Sequence, residues 1–550
     1  MLAIIIFIVV TFFLVIQLSS VQTYAGHKFA DFLSNKLNTK VEIGSIHFAF
    51  FKRIEVSDVF IEDLHNDTLL YAKKLNVGIK DLDFENNEIS LRKVTLLNAK
   101  AKLIKYRSDE DFNFQFIIDA FASKKKTPKA PSAPINFTVG EVAFVNTDFS
   151  FKNEHDTLNT TGVNYFDLRV QNINGLITDV EIEHDTIRGT IEYLSAIEKS
   201  GFVLNNISSY VSVSPVGIQL DELKITTPES DISTDLTFKY DTYRDFKDFI
   251  DKVKFKAEFD RSILQMSDVA FFADELKGID EQIDITGKIS GTVSDLRGKA
   301  LDFKIGQATR FKGDVTLTGL PKIDETLIHL SVKSLTTNYN DLTQFPIPPF
   351  DKKNTLKIPK NLALLGTVNF KGTFTGLYND FYAYGDLRTA LGELSSDIAV
   401  RHDYEKNKEF YKGKLQSKSF DFGKFLSAPA LGKATVDVNI DGEGITIDDL
   451  KAKLTGTINS VEFNNYTYKN IIIEGDVANQ IFNGKLNVKD DNIDFDFIGN
   501  VDFTKSLPKL DFIATLNQAD LGALHFIKTD ERQICLLRCL SMLQEAQLII

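Results

Sequence analysis

The chain has 550 residues, 43% hydrophobic and 25% charged, with a formal net charge of −13. That length exceeds one ordinary hydrophobic core, that balance excludes a disordered tail, and the acidity without a basic stripe excludes a nucleic-acid surface. The two cysteines, Cys535 and Cys539, exclude a disulfide framework for the body and, without a nearby histidine pair, make a poor zinc site.

The chain opens on LAIIIFIVVTFFLVIQL, Leu2 to Leu18, uncharged and with Thr11 and Gln17 as its polar side chains. Its length is at the short end of the ~17–25 residues that span a bilayer as a helix. Residues 1–20 are read as a retained transmembrane signal anchor, with Leu2, Ile4, Ile5, Ile6, Phe7, Phe12, Phe13 and Leu14 in the bilayer. The alternatives are a signal peptide cleaved after Thr23-Tyr24-Ala25, before Gly26, and a buried core helix. The missing basic flank suggests a natural start a few residues upstream, and orientation is not readable from charge. Val21, Ala25, Phe29, Phe32, Leu33 and Leu37 then recur at helical spacing, predicting an amphipathic helix over 21–38.

From Lys40 the period changes to two, and 39–123 reads as a first β region with bends at Lys52-Arg53 and Ser57-Asp58. KKKTPKAPSAP, 124–134, is a linker. Strands resume over 135–344, stop at the proline-rich break 345–359, and continue over 360–530. YRDFKDFIDKV interrupts them as a helix, with Tyr243, Phe246, Ile250 and Val253 on one face. A loose module recurs at 327–345, 413–426 and 512–524, each a strand followed by a single helical turn. The tail, 531–550, loses the alternation and reads as helix; a shifted reading frame or truncation replacing the natural continuation is preferred over a real terminal helix.

No nucleophile, phosphate-loop or metalloprotease motif occurs, so the chain is read as a non-enzyme without cofactor or metal. Glu154-His155-Asp156-Thr157 and Glu183-His184-Asp185-Thr186 are read as turns rather than metal sites. Asp441-Gly442-Glu443-Gly444 and Asp490-Asp491 lack calcium-loop spacing and are read as acidic turns.

The period-two grammar is plainest in DDNIDFDFIGNVDF, 490–503. Ile493, Phe495 and Phe497 are expected to face an apolar trough, with Asp494 and Asp496 in water. So much one-sided sheet needs cover, and few helices are present to supply it. The expected fold is mainly β: an N-terminal transmembrane helix, then an elongated folded-over sheet enclosing a greasy groove, with a few short helices.

The anchor, VQTYAGHKFADFLSNKLNTKVEIGSIHFAFFKRIEVSDVFIED and HNDTLLYAKKLNVGI resemble the N-terminus of the AsmA-like superfamily, in particular its TamB-like translocation and assembly modules. The matching features are the amphipathic helix ending in K-L-x-T-K-V, the first strand V-E-I-G, and the turn and strand from Asp67 to Ala72. LKITTPESDISTDLTFKY, 223–240, is similar to the family's strand pairs, and the likeness runs over roughly residues 1–525. The resemblance implies an inner-membrane, single-pass anchor, a periplasmic body, membrane lipids as cargo, and an outer-membrane barrel protein as partner. It implies phospholipid transport between membranes and outer-membrane biogenesis. Family members of the TamB kind are longer and end in a domain that meets the barrel, which this chain does not display. An assembly factor that receives client strands at its sheet edges is the first alternative. A surface adhesin of β repeats is the second.

Overall fold

The computed structural model describes residues 18–49, 52–83, 88–121, 136–156, 160–347, 354–356, 358–403, 405, 408–444, 449–502, 504, 509–525 and 534–539. The expected anchor, Leu18 aside, and the linker 124–134 lie outside these residues. Among the described residues no helix is long and apolar enough to cross a membrane. The protein is mainly β with a few short helices, and it divides into two compact units, Met1–Thr292 and Val293–Ile550. The break at 345–359 falls inside the second unit; there Pro346 and Thr355 form an isolated bridge and no strand runs through the described positions.

The first unit begins with the helix Ser19–Leu37, which ends on Asn38 in the left-handed conformation (φ 52°), its N–H bonded to the Ser34 carbonyl. The helix lies along an edge of the sheet. There Val41–Glu42 and Ser45–Ala49 both pair with Arg53–Glu62. An edge strand exposes unpaired amides, and the helix covers them with side chains. The Gln22 amide accepts from Phe48 N at 3.0 Å and donates to Phe48 O at 3.2 Å. Ser34 Oγ accepts from Val41 N at 2.9 Å and donates to Val41 O at 3.1 Å. Ala30 and Leu37 meet Val41, Ile43 and Ile46 in a small core, joined by Phe116 and Ile117 of the helix Gln115–Phe121.

Away from this edge the described strands of the first unit follow one another in antiparallel pairs, with one exception. Glu88–Lys105 and Asn136–Asn153 are parallel. Parallel neighbours need a crossover, here the segment that carries Gln115–Phe121.

Irregularities line up from strand to strand. Asp58, Asn98, Asn146 and Asn172 all have φ near +50°. Asp58 and Asn98 lie at one level of the ladder, on either side of Lys73, and Asn98 meets Asn146 across the parallel pair through a 2.7 Å side-chain bond. Asn and Asp tolerate this conformation better than other side chains, and an irregularity of this kind bends its strand. The amide it frees must still find a partner. For Asn146, Asn172 and the similarly placed Glu222 the neighbouring strand supplies a side chain: Asn174 Oδ1 takes the Asn146 N–H at 2.9 Å, Asp148 Oδ1 that of Asn172 at 3.2 Å, and Asp235 Oδ1 that of Glu222 at 2.8 Å.

In the second unit the strands from Asp295–Ile305 to Lys509–Asp520 form an antiparallel succession. Ala300 repeats the device of the first unit, its amide donating to Asp314 Oδ1 at 2.8 Å. Elsewhere glycines sit opposite one another, Gly372 with Gly385 and Gly475 with Gly484 and Gly499. At Gly499, φ is +156° and a Cβ would lie 2.4 Å from Asp511 O, so neither conformation nor space admits a side chain.

Short helical turns close strand ends, as the recurring module predicts. Tyr339–Gln344 follows Leu327–Asn338, Phe422–Leu426 follows Phe420–Asp421, and a turn at 521–525 follows Lys509–Asp520. A fourth, Met266–Ala270, follows Lys254–Gln265. Asp421 and Asp520 accept from Lys424 N and Ala523 N within their own turns, whereas Asp341 and Asp268 tie theirs to other segments. Asp341 Oδ2 accepts from Ala308 N and Thr309 N at 2.8 Å, and Asp268 Oδ2 from the Thr227 hydroxyl at 2.6 Å.

Two expectations are corrected. The tail was expected to be helical, but Ile534–Cys539 is a strand paired antiparallel with Lys509–Asp520. An open sheet edge offers a row of backbone partners, which outweighs weak local helix preference. Residues 540–550 lie outside the described ones. Asp441, Gly442 and Glu443 belong to the strand Leu431–Glu443 rather than to a turn, and Glu443 holds Lys408 at 3.0 Å and Lys451 at 3.2 Å. YRDFKDFIDKV is helical in two pieces, 3₁₀ over Tyr243–Asp248 and α over Phe249–Lys252.

Gly499→Val is expected to destabilise the second unit by ~1–3 kcal/mol, the cost of forcing a side chain into a disallowed backbone conformation. The measurement is the denaturant midpoint; an unchanged midpoint would show that the ladder yields there without strain.

Candidate functional site

Residues paired across a ladder point to the same face, so the register states which side chains share a surface. One level of the second unit runs Leu301, Gly313, Val332, Gly372, Gly385, Ser396 and Leu415. It continues through Val438, Gly456, Ile473, Leu486, Phe497 and Ala514. A parallel level runs Leu296, Leu317, Ile328, Gly376, Phe381, Val400 and Tyr411, then Gly442, Ala452, Val477, Phe482 and Val501. Neither level contains a charged residue.

Ile493, Phe495 and Phe497 belong to this face. Phe497 is 7% exposed, with Phe512, Phe482 and Phe495 at ring-centroid distances of 5.3, 6.2 and 6.3 Å. Ile493 and Phe495 are half-buried. Asp496 is exposed on the other face, whereas Asp494 is half-buried and accepts from Asn517 Nδ2 at 3.1 Å. The face is therefore sheltered without being sealed. Of its phenylalanines in the two levels and their neighbours, Phe311 and Phe497 are buried while Phe303, Phe370 and Phe374 keep partial exposure. A close-packed core would bury them all.

The first unit has the same organisation. Ile79, Leu91 and Val139 continue into Val180, and Val211, Leu220, Leu236, Ala257 and Ile289 carry an equivalent uncharged level.

The opposite face of the second unit carries paired charges. Asp302 takes Arg310 at 2.7 Å and Lys312 at 3.0 Å, and Asp437 takes Lys414 at 2.9 Å. The hydrogen bond from Arg310 leads in holding the Asp302 carboxyl below its ordinary value, and the Lys414 bond does the same for Asp437. Ile472, Ile498 and Ile513 stand on this polar side at 57%, 47% and 54% exposure, around an open depression with Glu474, Lys485 and Asp496. Sequence reasoning missed them, since single apolar residues on a wet face carry no periodic signal.

Among the described residues no group of three or more His, Cys, Asp or Glu is placed to hold a metal ion. Over the described residues, 154–156 and 183–186, both segments make turns: His184 has φ +54° between two strands, and His155 Nε2 lies 2.9 Å from Tyr106 O and 2.8 Å from Asp109 O. Asp63, 1% exposed, accepts from Tyr106 OH at 2.8 Å and Asn113 Nδ2 at 2.9 Å, tying the turn after Arg53–Glu62 to the segment after Glu88–Lys105.

The depressed carboxyls set a pH dependence. A group whose folded pKa lies below its unfolded value adds stability above the unfolded value and loses it as pH falls through the folded one. The second unit is expected to be equally stable in denaturant down to about pH 5 and to weaken below 3.8, the ordinary value for Asp302 and Asp437. Asp302→Asn is expected to flatten that acid limb; an unchanged limb would remove the Arg310 pair from the account.

No protein-family model matches the chain, and no curated protein or solved structure matches it either.

Proposed function

We propose that the chain is a lipid carrier of the cell envelope. Its folded-over sheet forms a groove whose uncharged face receives phospholipid acyl chains, while the headgroup stays in water. In this reading Leu2–Leu18 anchors it in the inner membrane, the body is periplasmic, and its role is lipid transport between membranes and outer-membrane biogenesis. The observation that carries the reading is the uncharged, half-sheltered face, maintained across successive strands of each unit. Each acyl methylene moved from water to such a face contributes about 0.8 kcal/mol. Binding of this kind needs continuity of apolar surface more than any fixed pocket, and a single inward charge would interrupt it. The resemblance of the N-terminal segments to AsmA-like proteins points the same way.

The test is a photo-reactive side chain at Phe495, with a second at Asp496 on the opposite face as control, in the full chain within a lipid membrane. Lipid adducts at 495 and none at 496 are expected. Adducts at 495 to polypeptide clients alone would favour a strand-receiving assembly factor, and equal labelling at both positions would end the carrier reading. Phe495→Asp is expected to abolish the lipid adducts formed by a probe at Leu415, on the same face, while thermal unfolding stays cooperative.

A further inference from the structure

The helix Ser19–Leu37 leaves its aromatic side chains exposed. Toward the sheet it turns Gln22, Gly26, Ala30 and Leu37, all buried. Gly26 is there because a Cβ would come 2.9 Å from Ile46 Cγ1. About a quarter turn round the helix from these inward residues it turns Leu18, Val21, Phe29 and Phe32, exposed by 53%, 36%, 51% and 54%. With Ala25 and Lys36 these positions recur every three or four residues and form one ridge. Tyr24, 65% exposed, flanks it. A helix facing water places its large apolar residues inward; this one places Gln22, Gly26 and Ala30 inward beside Leu33 and Leu37 and leaves its aromatic residues exposed.

The ridge continues onto the next helix. Lys36 Nζ stands 4.4 Å from the Phe121 ring centroid, and Phe121 and Ile118 of Gln115–Phe121 are each 53% exposed. Lys28 Nζ lies 5.8 Å from the Tyr24 ring centroid, beside the same ridge. Apolar and aromatic side chains interleaved with lysines match the boundary between headgroups and acyl chains, where rings sit at the interface and cations reach anionic headgroups.

We infer that this ridge lies in the surface of a phospholipid bilayer, so that Ser19–Leu37 runs along the membrane and holds the adjoining sheet edge against it. A bilayer is favoured over a protein partner because the ridge begins at Leu18, where the uncharged run from Leu2 ends, with no spacer between them. Whatever the run inserts into, the ridge starts at its surface. The inference concerns a different surface from the strand face, so loss of lipid adducts at Phe495 would leave it standing.

The test uses the full chain with Cys535→Ser and Cys539→Ser, inserted in phosphatidylethanolamine–phosphatidylglycerol vesicles. An environment-sensitive fluorophore is attached at Phe32→Cys or, as control, at His27→Cys on the far side of the helix. The label at 32 is expected to shift to the blue and to be quenched by lipids carrying a nitroxide near the headgroup, and the label at 27 to show neither. Equal water exposure at both positions would overturn the inference. So would a blue shift at 32 without lipid quenching, which would mean that protein covers the ridge. Phe29→Cys, labelled in the same way, must follow position 32; agreement with position 27 instead would also overturn it.

Discussion

A sheet that is uncharged on one face and wet on the other must keep the apolar face from water without giving up its backbone hydrogen bonds. Nearly everything else in this protein follows from that constraint. Ordinary domains meet it by laying a second sheet or a layer of helices over the apolar face. Here, among the described residues, the helices sit at strand ends or along an edge, and the strands carry irregular residues of the kind that bend a strand. Curvature costs ladder bonds at each irregular residue. The cost is offset when a neighbouring side chain takes the freed amide, as Asn174 does for Asn146 and Asp314 does for Ala300.

The two units place different residues at their irregular positions. The first relies on Asn and Asp in the left-handed conformation, linked across strands by their own side chains. The second adds facing glycines, Gly372 with Gly385 and Gly484 with Gly499, where one strand's backbone closes on the next. Glycine supplies conformations that other residues resist and leaves room for close approach, and it places no polar atom on the apolar face. Within those levels the uncharged surface therefore passes through the bends uninterrupted.

Strand ends and edges complete the arrangement. Helical turns held by Asp268 and Asp341 close strand ends, and Gln22 and Ser34 stand in for a missing strand beside Val41–Ala49. Because the edge is satisfied by two polar side chains and closely fitting Gly26 and Ala30, the helix has no need to turn its aromatic residues inward. Its exposed ridge and the uncharged strand face are the two surfaces on which the proposed contacts with lipid rest.

The sequence by itself determined the strand pattern of the body and which side chains share a strand face. Alternation around Ile493, Phe495 and Phe497 placed all three on one side, because a strand's period of two needs no tertiary knowledge. Prolines excluded a strand through 345–359, and Asp and His at 154–156 and 183–185 identified turns, because those residues act on their own backbone. Tertiary structure alone decided which residues share a level. The parallel pairing of Glu88–Lys105 with Asn136–Asn153, the row linking Asn98 to Asn146, and the meeting of Gly484 with Gly499 depend on register between separate strands. It also made a strand of Ile534–Cys539, whose local pattern favours helix, since pairing to an open edge is a nonlocal gain. The helix Ser19–Leu37 shows the same division. Its periodicity was legible, but which stripe faced the sheet was not, because Gln22 and Ser34 are drawn inward by amides that only the folded edge exposes.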